Sequence, residues 1–236
     1  MQDEIGQKQF YLTPSHACSY LEGREARTLF LDPRDTHSAD TYGRLSQVGF
    51  RRSGGHLYRP HCANCRACVP TRIPVRDFRL TRRFKRVLKR NADIELRLEP
   101  AVFNQHHYEL YAAYIRGRHS EGDMYPPTPE QYRSFLLASW SDTHFSCAYL
   151  DGRLVAVAAT DVLPDALSAI YTFFDPTLAD RSLGVYSILR QIRECQKRGY
   201  PHLYLGYWIE GAAKMRYKTE YRPVELLANQ RWVVMS

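Results

Sequence analysis

Three extended runs in the second half of the sequence, residues 144–150, 154–162 and 167–174, constrain the fold of this chain most strongly. Asp151-Gly152 joins the first two runs and is typical of a tight turn between antiparallel strands. A segment with an apolar face at helical spacing follows, and residues 202–208 form another strand-like run. Strands followed by a helix and a further strand predict an α+β fold.

The same element order occurs in the acetyltransferase-like (GNAT-like) architecture, which we therefore expect for a C-terminal domain over residues 101–236. Residues 1–100 contain short strand-like runs with turns, and they predict a smaller, cysteine-bearing N-terminal domain. Ser53-Gly54-Gly55 indicates a hairpin in this part. Residues 69–75 contain prolines, so they are expected to form an edge strand at most.

The positive charge of the chain is concentrated in one segment. Residues 1–100 carry 19 Lys and Arg against 11 Asp and Glu, whereas residues 101–236 carry 14 of each. Residues 51–90 contain 13 basic residues and one acidic residue, Asp77. Solubilising surfaces normally mix both signs, so this segment predicts a polyanionic partner such as nucleic acid.

An amphipathic helix with a basic outer face is predicted over residues 80–90. Its apolar residues recur at helical spacing from Leu80 to Leu88, and Thr81 is a suitable N-cap. A basic face of this kind can follow a phosphate backbone or an anionic membrane. The residues expected to contact the polyanion are Arg79, Arg82, Arg83, Lys85, Arg86, Lys89 and Arg90.

Several classes of protein are disfavoured by what the sequence lacks. No apolar run approaches the roughly 20 residues that cross a bilayer, and the N-terminus has no apolar signal-peptide core. We therefore expect a cytoplasmic protein without a membrane partner. The sequence contains no P-loop, dinucleotide-binding fingerprint, zinc-protease motif or nucleophile elbow. A reaction that starts from an already activated substrate is favoured over one driven by bound ATP.

Three cysteines form a C-x-x-C-x-x-C run at residues 62–68. In a cytoplasmic chain this spacing is more typical of a metal site than of disulfides. The candidate ligands, which suit zinc or an iron–sulfur cluster, are Cys18, Cys62, Cys65 and Cys68. The alternative is a reduced cysteine knuckle that stabilises a loop without metal.

Basic and aromatic residues are interleaved in the segment from Gly206 to Pro223. This combination suits a nucleotide end or an acidic ligand, whereas a solvated strand edge seldom carries so many aromatic residues. Upstream, residues 181–186 open a helix, and free N–H groups at a helix start can bind a phosphate. The bulk of Tyr186 argues against a coenzyme A pyrophosphate at that position.

Four sequence blocks together resemble the arginyl-tRNA–protein transferase family, and within it the bacterial aspartate/glutamate leucyltransferases. The blocks are Ser19-Tyr20-Leu21 to Arg27, the cysteine run, Phe173-Phe174-Asp175-Pro176 with Ser182-Leu183-Gly184-Val185-Tyr186-Ser187, and the segment from Gly206 to Pro223. They follow the family order over nearly the whole chain. The resemblance implies a cysteine-bearing N-terminal domain and an acetyltransferase-like C-terminal domain.

The resemblance also implies a reaction, in which an aminoacyl group moves from a charged tRNA to the N-terminus of a protein and creates a degradation signal. For bacterial members of this length it implies leucyl-tRNA as donor and acceptors that begin with Asp or Glu. No cofactor is required for the transfer; some relatives hold an iron–sulfur cluster, but their N-terminal thiols differ from those here. The alternatives are an arginine donor, a coenzyme A-dependent N-acetyltransferase and a non-enzymatic nucleic-acid-binding module.

Such a reaction needs a fixed cation for the acceptor carboxylate and groups that move a proton and stabilise an oxyanion. The residues expected to recognise the acceptor and stabilise charge are Lys214, Arg216, Lys218 and Arg222. The candidates for positioning the amine or transferring a proton are Tyr171, Asp175 and Tyr217. His119 and Asp123 are expected to border the same cleft.

Overall fold

A small sheet occupies the N-terminal part of the computed structural model, which describes residues 8–35 and 37–235. Its strands are β1 (Phe10–Leu12), β4 (Thr28–Leu31), β5 (Arg51–Ser53) and β6 (His56–Pro60), in the order β1-β4-β6-β5. A separate two-stranded ladder consists of β2 (His16–Ala17) and β3 (Glu25–Ala26), and helix α1 spans Ala39–Gln47. The predicted hairpin at Ser53-Gly54-Gly55 is confirmed, because β5 pairs with β6 across it.

An eight-stranded mixed sheet forms the centre of the molecule. Its strands are β7 (Val69–Pro74), β8 (Glu95–Pro100), β9 (Thr143–Leu150), β10 (Arg153–Val162), β11 (Ala166–Phe174), β12 (His202–Trp208), β13 (Val224–Ala228) and β14 (Arg231–Met235). Their order is β14-β13-β7-β12-β11-β10-β9-β8. β9, β10 and β11 are the three antiparallel strands predicted from the sequence, and β11 pairs with β12 in parallel.

β7 lies inside this sheet, between β12 and β13, so the prediction of an edge strand for residues 69–75 was wrong. In the ladder between β7 and β13, the paired residues of β7 are Thr71 and Arg72 only, which lie between Pro70 and Pro74. The prolines fall outside this short ladder, where their missing N–H groups are not needed. β8, which was not predicted, forms the far edge beside β9. The division at residue 100 stays a prediction, and the central sheet takes strands from both sides of it.

Helices cover both faces of the central sheet. α2 (Arg82–Arg90) and α5 (Leu183–Arg198) share one core cluster with β7, β11 and β12. α3 (Gln105–Arg118) and α4 (Pro129–Leu136) pack on β9, β10 and β11 from the other side. α2 begins after Thr81, whose side chain accepts a hydrogen bond from the N–H of Phe84, as predicted. None of the helices described is both long and apolar enough to cross a membrane.

β11 and β12 run side by side for a short distance and then separate. Their parallel ladder covers residues 166–168 and 202–204 only. Beyond it both strands continue to their ends without pairing to each other. The gap between residues 169–174 of β11 and residues 205–208 of β12 is called the strand cleft below.

Two bulges account for this separation. The β10–β11 ladder shifts register between Ala159 and Thr160, and the β12–β7 ladder shifts between Tyr204 and Gly206. A bulge bends its strand and increases the local twist. Because both shifts lie just beyond the last paired residues of β11 and β12, they direct the two strands apart.

A buried ion pair joins the small sheet to the central sheet. Arg52 of β5 donates to Asp161 of β10 through Nε at 2.6 Å and Nη2 at 2.7 Å, and both side chains are fully buried. The same carboxylate accepts hydrogen bonds from Tyr42 at 2.9 Å and Thr143 at 2.7 Å. We call these four side chains the Asp161 hub. The hub fixes β5 against the central sheet and thereby sets the position of the neighbouring Arg51.

Candidate functional site

Arg51 of β5 reaches into the strand cleft. Its Nη1 donates to Ser168 Oγ at 2.7 Å and its Nη2 to the Ala169 carbonyl at 2.5 Å, where β11 and β12 part. On the opposite wall, a Cβ added to Gly206 would stand 3.3 Å from Arg51 Nε, and Gly206 has φ +83°. Only glycine adopts this conformation readily and allows so close an approach. The strand cleft therefore contains a guanidinium that is only 8% exposed.

The 3₁₀ turn Ala213–Glu220 lies against the strand cleft from the side of β12. Its Lys218 is 9% exposed and donates through Nζ to the Tyr207 carbonyl at 2.6 Å. Burial, and after it the positive charge of Arg51, lower the pKa of Lys218 to about 7. Charged and neutral forms of this lysine are therefore both present near neutral pH.

Tyrosine side chains line the strand cleft beside these cations. Tyr217 keeps 38% of its surface exposed, yet burial, and after it the hydroxyl of Tyr114, raise the pKa of its hydroxyl to about 12. Tyr171 of β11 packs against Phe135 and Tyr114, with ring centroids 5.2 Å and 6.2 Å away. In the described part of the chain, the buried Tyr171 hydroxyl has no hydrogen-bond partner. A buried hydroxyl without a partner can bind a ligand atom.

The loop after α3 carries the two residues expected at the border of the cleft. His119 Nε2 lies 3.3 Å from the Tyr114 hydroxyl. Burial lowers the pKa of His119, and the charge of Lys214 lowers it further. Asp123 accepts a hydrogen bond from Ser19 Oγ at 3.2 Å, which connects the loop to the segment that carries Cys18. His119 thus lies beside the tyrosines of the cleft, and Asp123 lies on the side of the cysteines.

The four cations expected to bind the acceptor do not share one surface. Alternating positions would share a face in a strand, but the segment folds as a 3₁₀ turn. Lys214 and Arg216 are therefore exposed, whereas Lys218 is buried. Arg222 is half-buried beyond the turn, and its carbonyl accepts from the Arg79 N–H at 3.5 Å. Lys218 contacts a strand of the cleft directly, and Lys214 lies near His119.

Asp175, a predicted proton-transfer candidate, caps the 3₁₀ turn that follows β11. Its Oδ1 accepts from the N–H and hydroxyl of Thr177 at 2.9 Å and 2.6 Å, and its Oδ2 accepts from Arg153 at 2.5 Å. Burial would raise the pKa of this carboxyl, but the hydrogen bonds from Thr177 and Arg153 outweigh it and hold the pKa below its ordinary value. Both oxygens are occupied, so the surroundings of Asp175 favour a structural role.

α2 presents most of its predicted tRNA-contacting cations to solvent. Arg82, Lys85, Arg86 and Lys89 are exposed. Arg83 and Arg90 are exposed as well, but Arg83 also pairs with Glu220, and Arg90 donates to the carbonyl of Asp180.

α2 is also anchored to the turn that carries Lys218. Phe84 of α2 stacks on Tyr221 with ring centroids 5.0 Å apart and an interplanar angle of 11°. Arg83 pairs with Glu220 at the end of that turn. The basic helix and the strand cleft are therefore held in a fixed relation to each other.

Three of the four predicted metal-ligating cysteines, Cys18, Cys62 and Cys65, surround the fourth, Cys68. Burial, and after it the nearby thiols of Cys18, Cys62 and Cys65, raise the pKa of the Cys68 thiol to about 11. Within residues 8–35 and 37–235, however, no three of these sulfur atoms lie within 4.8 Å of one another. Thiolates of one tetrahedral zinc site stand closer than this, with Zn–S distances of about 2.3 Å. The arrangement gathers the thiols without forming a finished metal site.

A different set of side chains meets that distance criterion, although the sequence did not suggest it. Glu99, His107 and Cys147 place one ligand atom each within 4.8 Å of the others. His107 Nε2 lies 3.2 Å from Glu99 Oε2 and 3.6 Å from Cys147 Sγ. The cluster lies under α3, in the core layer predicted to contain Cys147, and the predicted site residues take no part in it.

A groove of about 240 Å³ lies between α5 and strands β8 to β10, on the face opposite Arg51. It contains none of the residues predicted to act in transfer, of which Tyr171, Tyr217 and Lys218 lie at the strand cleft instead. At the start of α5, Tyr186 is 3% exposed and belongs to the core. Its ring packs into the core, and the expectation that its bulk disfavours a pyrophosphate at this helix start stays a prediction.

Arg51 is the functional candidate that the sequence reasoning missed. The available signal was a pair of arginines at the start of a predicted hairpin. Neighbouring residues of a strand point to opposite sides. The two arginines of such a pair are therefore expected to have different surroundings. The partners that distinguish them lie on β10 and β11, more than a hundred residues later in the chain.

Two solved structures match this chain at low identity. The C-terminal domain of a putative lysylphosphatidylglycerol synthetase from Agrobacterium fabrum aligns with a TM-score of 0.43 and 12% identity, covering 66% of this chain and 52% of that one. L-PGS from Bacillus licheniformis aligns with a TM-score of 0.43 and 10% identity, covering 62% and 47%.

Curated relatives match much more closely. The aspartate/glutamate leucyltransferase of Alcanivorax borkumensis is 54% identical over 99% of this chain and 96% of its own length. The proteins of the same name from Stutzerimonas stutzeri and Pseudomonas aeruginosa are 54% and 51% identical, and each alignment covers at least 98% of both chains.

Two family models match consecutive parts of the sequence. The model described as "Arginine-tRNA-protein transferase, N terminus" matches residues 16–86, and the model described as "Arginine-tRNA-protein transferase, C terminus" matches residues 106–228. The second match includes β9 to β13 and the turn with Lys218, and the first includes Arg51 and the cysteines. The chain belongs to the arginine-tRNA-protein transferase family.

Proposed function

We propose that this protein transfers leucine from leucyl-tRNA to proteins that begin with aspartate or glutamate, which marks them for degradation. The observation that carries the proposal is the strand cleft, where Arg51, Lys218 and the tyrosines come together. The shared name of the close relatives supports leucine as the donor and acidic acceptors.

The transfer joins the acceptor amine to an ester that is already activated, so it requires no ATP. The α-amine attacks the ester carbonyl, a C–N bond forms, and the C–O bond to the ribose breaks. The amine has a reference pKa of about 7.7–8.0, so most amine molecules are protonated at neutral pH. A protonated amine must lose a proton before it attacks. A further proton leaves the nitrogen as the amide forms, the ribose oxygen gains one, and the intermediate carries an oxyanion.

The residues of the strand cleft match these requirements. Neutral Lys218 can take the proton of the amine, because its pKa of about 7 lies close to that of the amine. The hydroxyls of Tyr171 and Tyr217 can donate to the oxyanion or hold the amine. The exposed Lys214 and Arg216 lie on the turn at the rim of the cleft, where they suit the acceptor chain.

The remaining predicted residues have supporting roles in this proposal. Arg222 follows Tyr221, which the stacking on α2 fixes, and so extends the cationic rim. Asp175 keeps the end of β11 in place through Thr177 and Arg153.

We propose that α2 holds the tRNA. Its exposed cations form a row on the outer side of the helix, while Phe84 and Val87 are buried beneath it. Release of counterions from the phosphates drives such binding and makes it sensitive to salt. The anchoring of α2 to the turn with Lys218 suits a donor whose ester must reach the strand cleft. The tRNA and the acidic protein N-terminus are thus the proposed partners.

The acetyltransferase-like assignment for residues 101–236 is also part of the proposal. It is supported by the β11–α5–β12 crossover and by the parallel strands that separate beside it. The six cysteines are free thiols in the structure, which suits a reducing, cytoplasmic location.

The decisive assay offers leucine and arginine, each radiolabelled and charged on tRNA, with peptides that begin with Asp, Glu, Lys or Ala. We expect label on the Asp and Glu peptides from leucyl-tRNA only. Transfer of arginine to the same peptides would show the alternative donor. Acetylation of the peptides from acetyl-coenzyme A, with no transfer from either tRNA, would show the acetyltransferase alternative.

Two single substitutions test the proposed cationic rim. Arg216→Ala and Arg222→Ala are each expected to lower transfer to Asp-initiated peptides. The matched control is Arg116→Ala, an exposed arginine of α3 outside the cleft. Wild-type transfer in both rim variants would remove these residues from the site.

We propose that a zinc ion or an iron–sulfur cluster, where one is present, is held by Cys18, Cys62, Cys65 and Cys68. Their clustering around Cys68 supports this, whereas the spacing of their sulfur atoms supports a reduced knuckle. No step of the transfer is assigned to a metal. Elemental analysis of anaerobically purified protein, with Cys62→Ser as the variant and Cys195→Ser as the control, distinguishes the two.

A further inference from the structure

Arg51 has hydrogen-bonding capacity that the protein does not use. A guanidinium has five N–H donors, and Arg51 gives one hydrogen bond to Ser168 Oγ and one to the Ala169 carbonyl. Within residues 8–35 and 37–235, no carboxylate oxygen lies within the 4.0 Å of an ion pair with Arg51. A charge that is only 8% exposed normally has an anionic partner.

The buried acid of the adjoining hydrogen-bond network, Asp161, is already neutralised. Both oxygens of Asp161 accept hydrogen bonds from Arg52, and Tyr42 and Thr143 complete its shell. Tyr42 also contacts Ser168, so Arg51 adjoins this network without sharing its negative charge. The charge of Arg51 therefore faces the strand cleft uncompensated, and Lys218 adds a second cation there.

We propose that Arg51 binds the side-chain carboxylate of the acceptor's first residue and thereby selects aspartate and glutamate. This inference rests on the proposed transfer function. Arginine can hold a carboxylate through two parallel hydrogen bonds. With the carboxylate on Arg51, the α-amine of the same residue lies a few bonds away, on the side of Tyr217 and Lys218.

The burial of Arg51 favours a carboxylate over a tRNA phosphate. The guanidinium lies between Ser168 of β11 and Gly206 of β12, at the narrow end of the strand cleft. A carboxylate on one or two methylene groups can enter such a space. The phosphate backbone of a folded tRNA is bulky, and the exposed cations of α2 are accessible to it.

The test compares Asp-initiated and Asn-initiated peptides, whose first side chains have nearly the same shape but differ in charge. Arg51→Met is expected to lower kcat/KM for the Asp peptide about 100-fold, the loss typical of a broken buried charge pair, and to change kcat/KM for the Asn peptide less than threefold. Arg51→Lys retains a charge but loses the fork of parallel N–H donors, so we expect it to keep a preference for Asp that is lower than that of wild type. The matched control, Arg59→Met, removes an arginine of the same hairpin that lies over the Phe50 ring, and should keep the wild-type preference.

Each outcome separates the inference from the proposed function. If wild-type protein transfers no leucine to the Asp peptide, the proposed function fails. Suppose instead that wild type transfers leucine, and that Arg51→Met lowers kcat/KM for both peptides and the affinity for leucyl-tRNA by the same factor. Arg51 then contacts the tRNA, and the inference fails. Should Arg51→Met not fold, Arg51→Lys decides: an Asp preference unchanged from wild type in both kcat and KM overturns the inference, and a reduced preference through a higher KM supports it.

Discussion

The Asp161 hub and the strand cleft are both buried and polar, and neighbouring residues of β5 contribute to each. In the hub, Arg52 meets a carboxylate with matching geometry, and each oxygen of Asp161 has more than one donor. In the cleft, Arg51 and Lys218 meet carbonyls and a hydroxyl, and Tyr171 has a hydroxyl without a described partner. Two neighbouring arginines with the same charge therefore have different partners: Arg52 has a carboxylate, whereas the described partners of Arg51 are neutral oxygen atoms.

The comparison distinguishes buried polar groups that stabilise the fold from buried polar groups that are available to a ligand. Burying a charge costs free energy unless an opposite charge and hydrogen bonds compensate it. The hub is compensated within the protein, so it stabilises the junction of the two sheets. The cleft is left partly uncompensated, and in the proposed reaction the missing charge is supplied by a ligand with a carboxylate and an oxyanion. Substitutions in the hub should therefore affect folding, and substitutions in the cleft should affect transfer.

The largest effect is expected from Asp161→Asn, which keeps the shape of the side chain and removes its charge. Arg52 would then be a buried, unpaired cation, at a cost of about 3–5 kcal/mol. Urea unfolding should show this loss, with Asp165→Asn, an exposed acid of the β10–β11 turn, as a control that changes little. A loss below 1 kcal/mol would mean that the hub does not hold the sheets together.

Lys218→Met is expected to lower kcat/KM for transfer about tenfold or more, equivalent to about 1.4 kcal/mol, without loss of stability. The folded protein carries Lys218 with a pKa lowered to about 7 from 10.5. Between these values the unfolded chain binds a proton that the folded protein has released, so stability rises with pH there. Above pH 7, the free energy of unfolding of wild type should therefore rise relative to that of Lys218→Met by up to about 1.4 kcal/mol per pH unit.

That gain is measured as the difference between the two unfolding free energies at pH 7, 8 and 9. Lys197→Met, an exposed lysine of α5, serves as the control and should show neither the loss of activity nor the pH dependence. A difference that is constant with pH would show that Lys218 stays charged in the folded protein.

Neutralising the outer face of α2 is expected to weaken tRNA binding without changing stability. Each of Lys85→Gln, Arg86→Gln and Lys89→Gln should reduce the slope of log affinity against log salt by about 0.9 if its side chain contacts a duplex phosphate. Binding of leucyl-tRNA over a range of salt concentrations measures the slope. The control neutralises Arg116 and Arg231, which are exposed on other elements. Equal slopes in the two sets would place the tRNA elsewhere.

The smallest effect on transfer is expected from Asp175→Ala. The loss of this cap should cost about 1 kcal/mol of stability, seen in urea unfolding, while the transfer rate per folded molecule stays within twofold of wild type. A rate reduced 100-fold at unchanged stability would instead give Asp175 the proton-transfer role predicted from the sequence.

Local signals in the sequence predicted the elements that depend on neighbours in the chain. The Thr81 cap, the hairpin at Ser53-Gly54-Gly55 and the three antiparallel strands each follow from a few adjacent residues. The interior position of β7 was not predictable in this way. It depends on β13, a distant segment of the chain, which pairs with the two residues of β7 that lie between its prolines. β8 has Leu96 and Leu98 among charged residues, a weak signal for a strand at an exposed edge.

The candidate site divides in the same way. The sequence predicted the cation–aromatic segment because its residues are contiguous, and it placed Lys218 and Tyr217 in the same region as Tyr171. It did not predict that a 3₁₀ turn would bury Lys218 and leave Arg216 exposed. The charges of Arg51 and Arg52 are identical in the sequence, and only the long-range partners Ser168 and Asp161 assign one to the cleft and the other to the hub.

The most direct test of the strand cleft is a crystal structure with an Asp-initiated peptide and leucine held by an amide bond to 3′-amino-3′-deoxyadenosine. We expect the first residue of the peptide between β11 and β12, with its side-chain carboxylate on Arg51 and its amine beside Lys218. Both ligands in the groove between α5 and strands β8 to β10, with the strand cleft empty, would contradict the account.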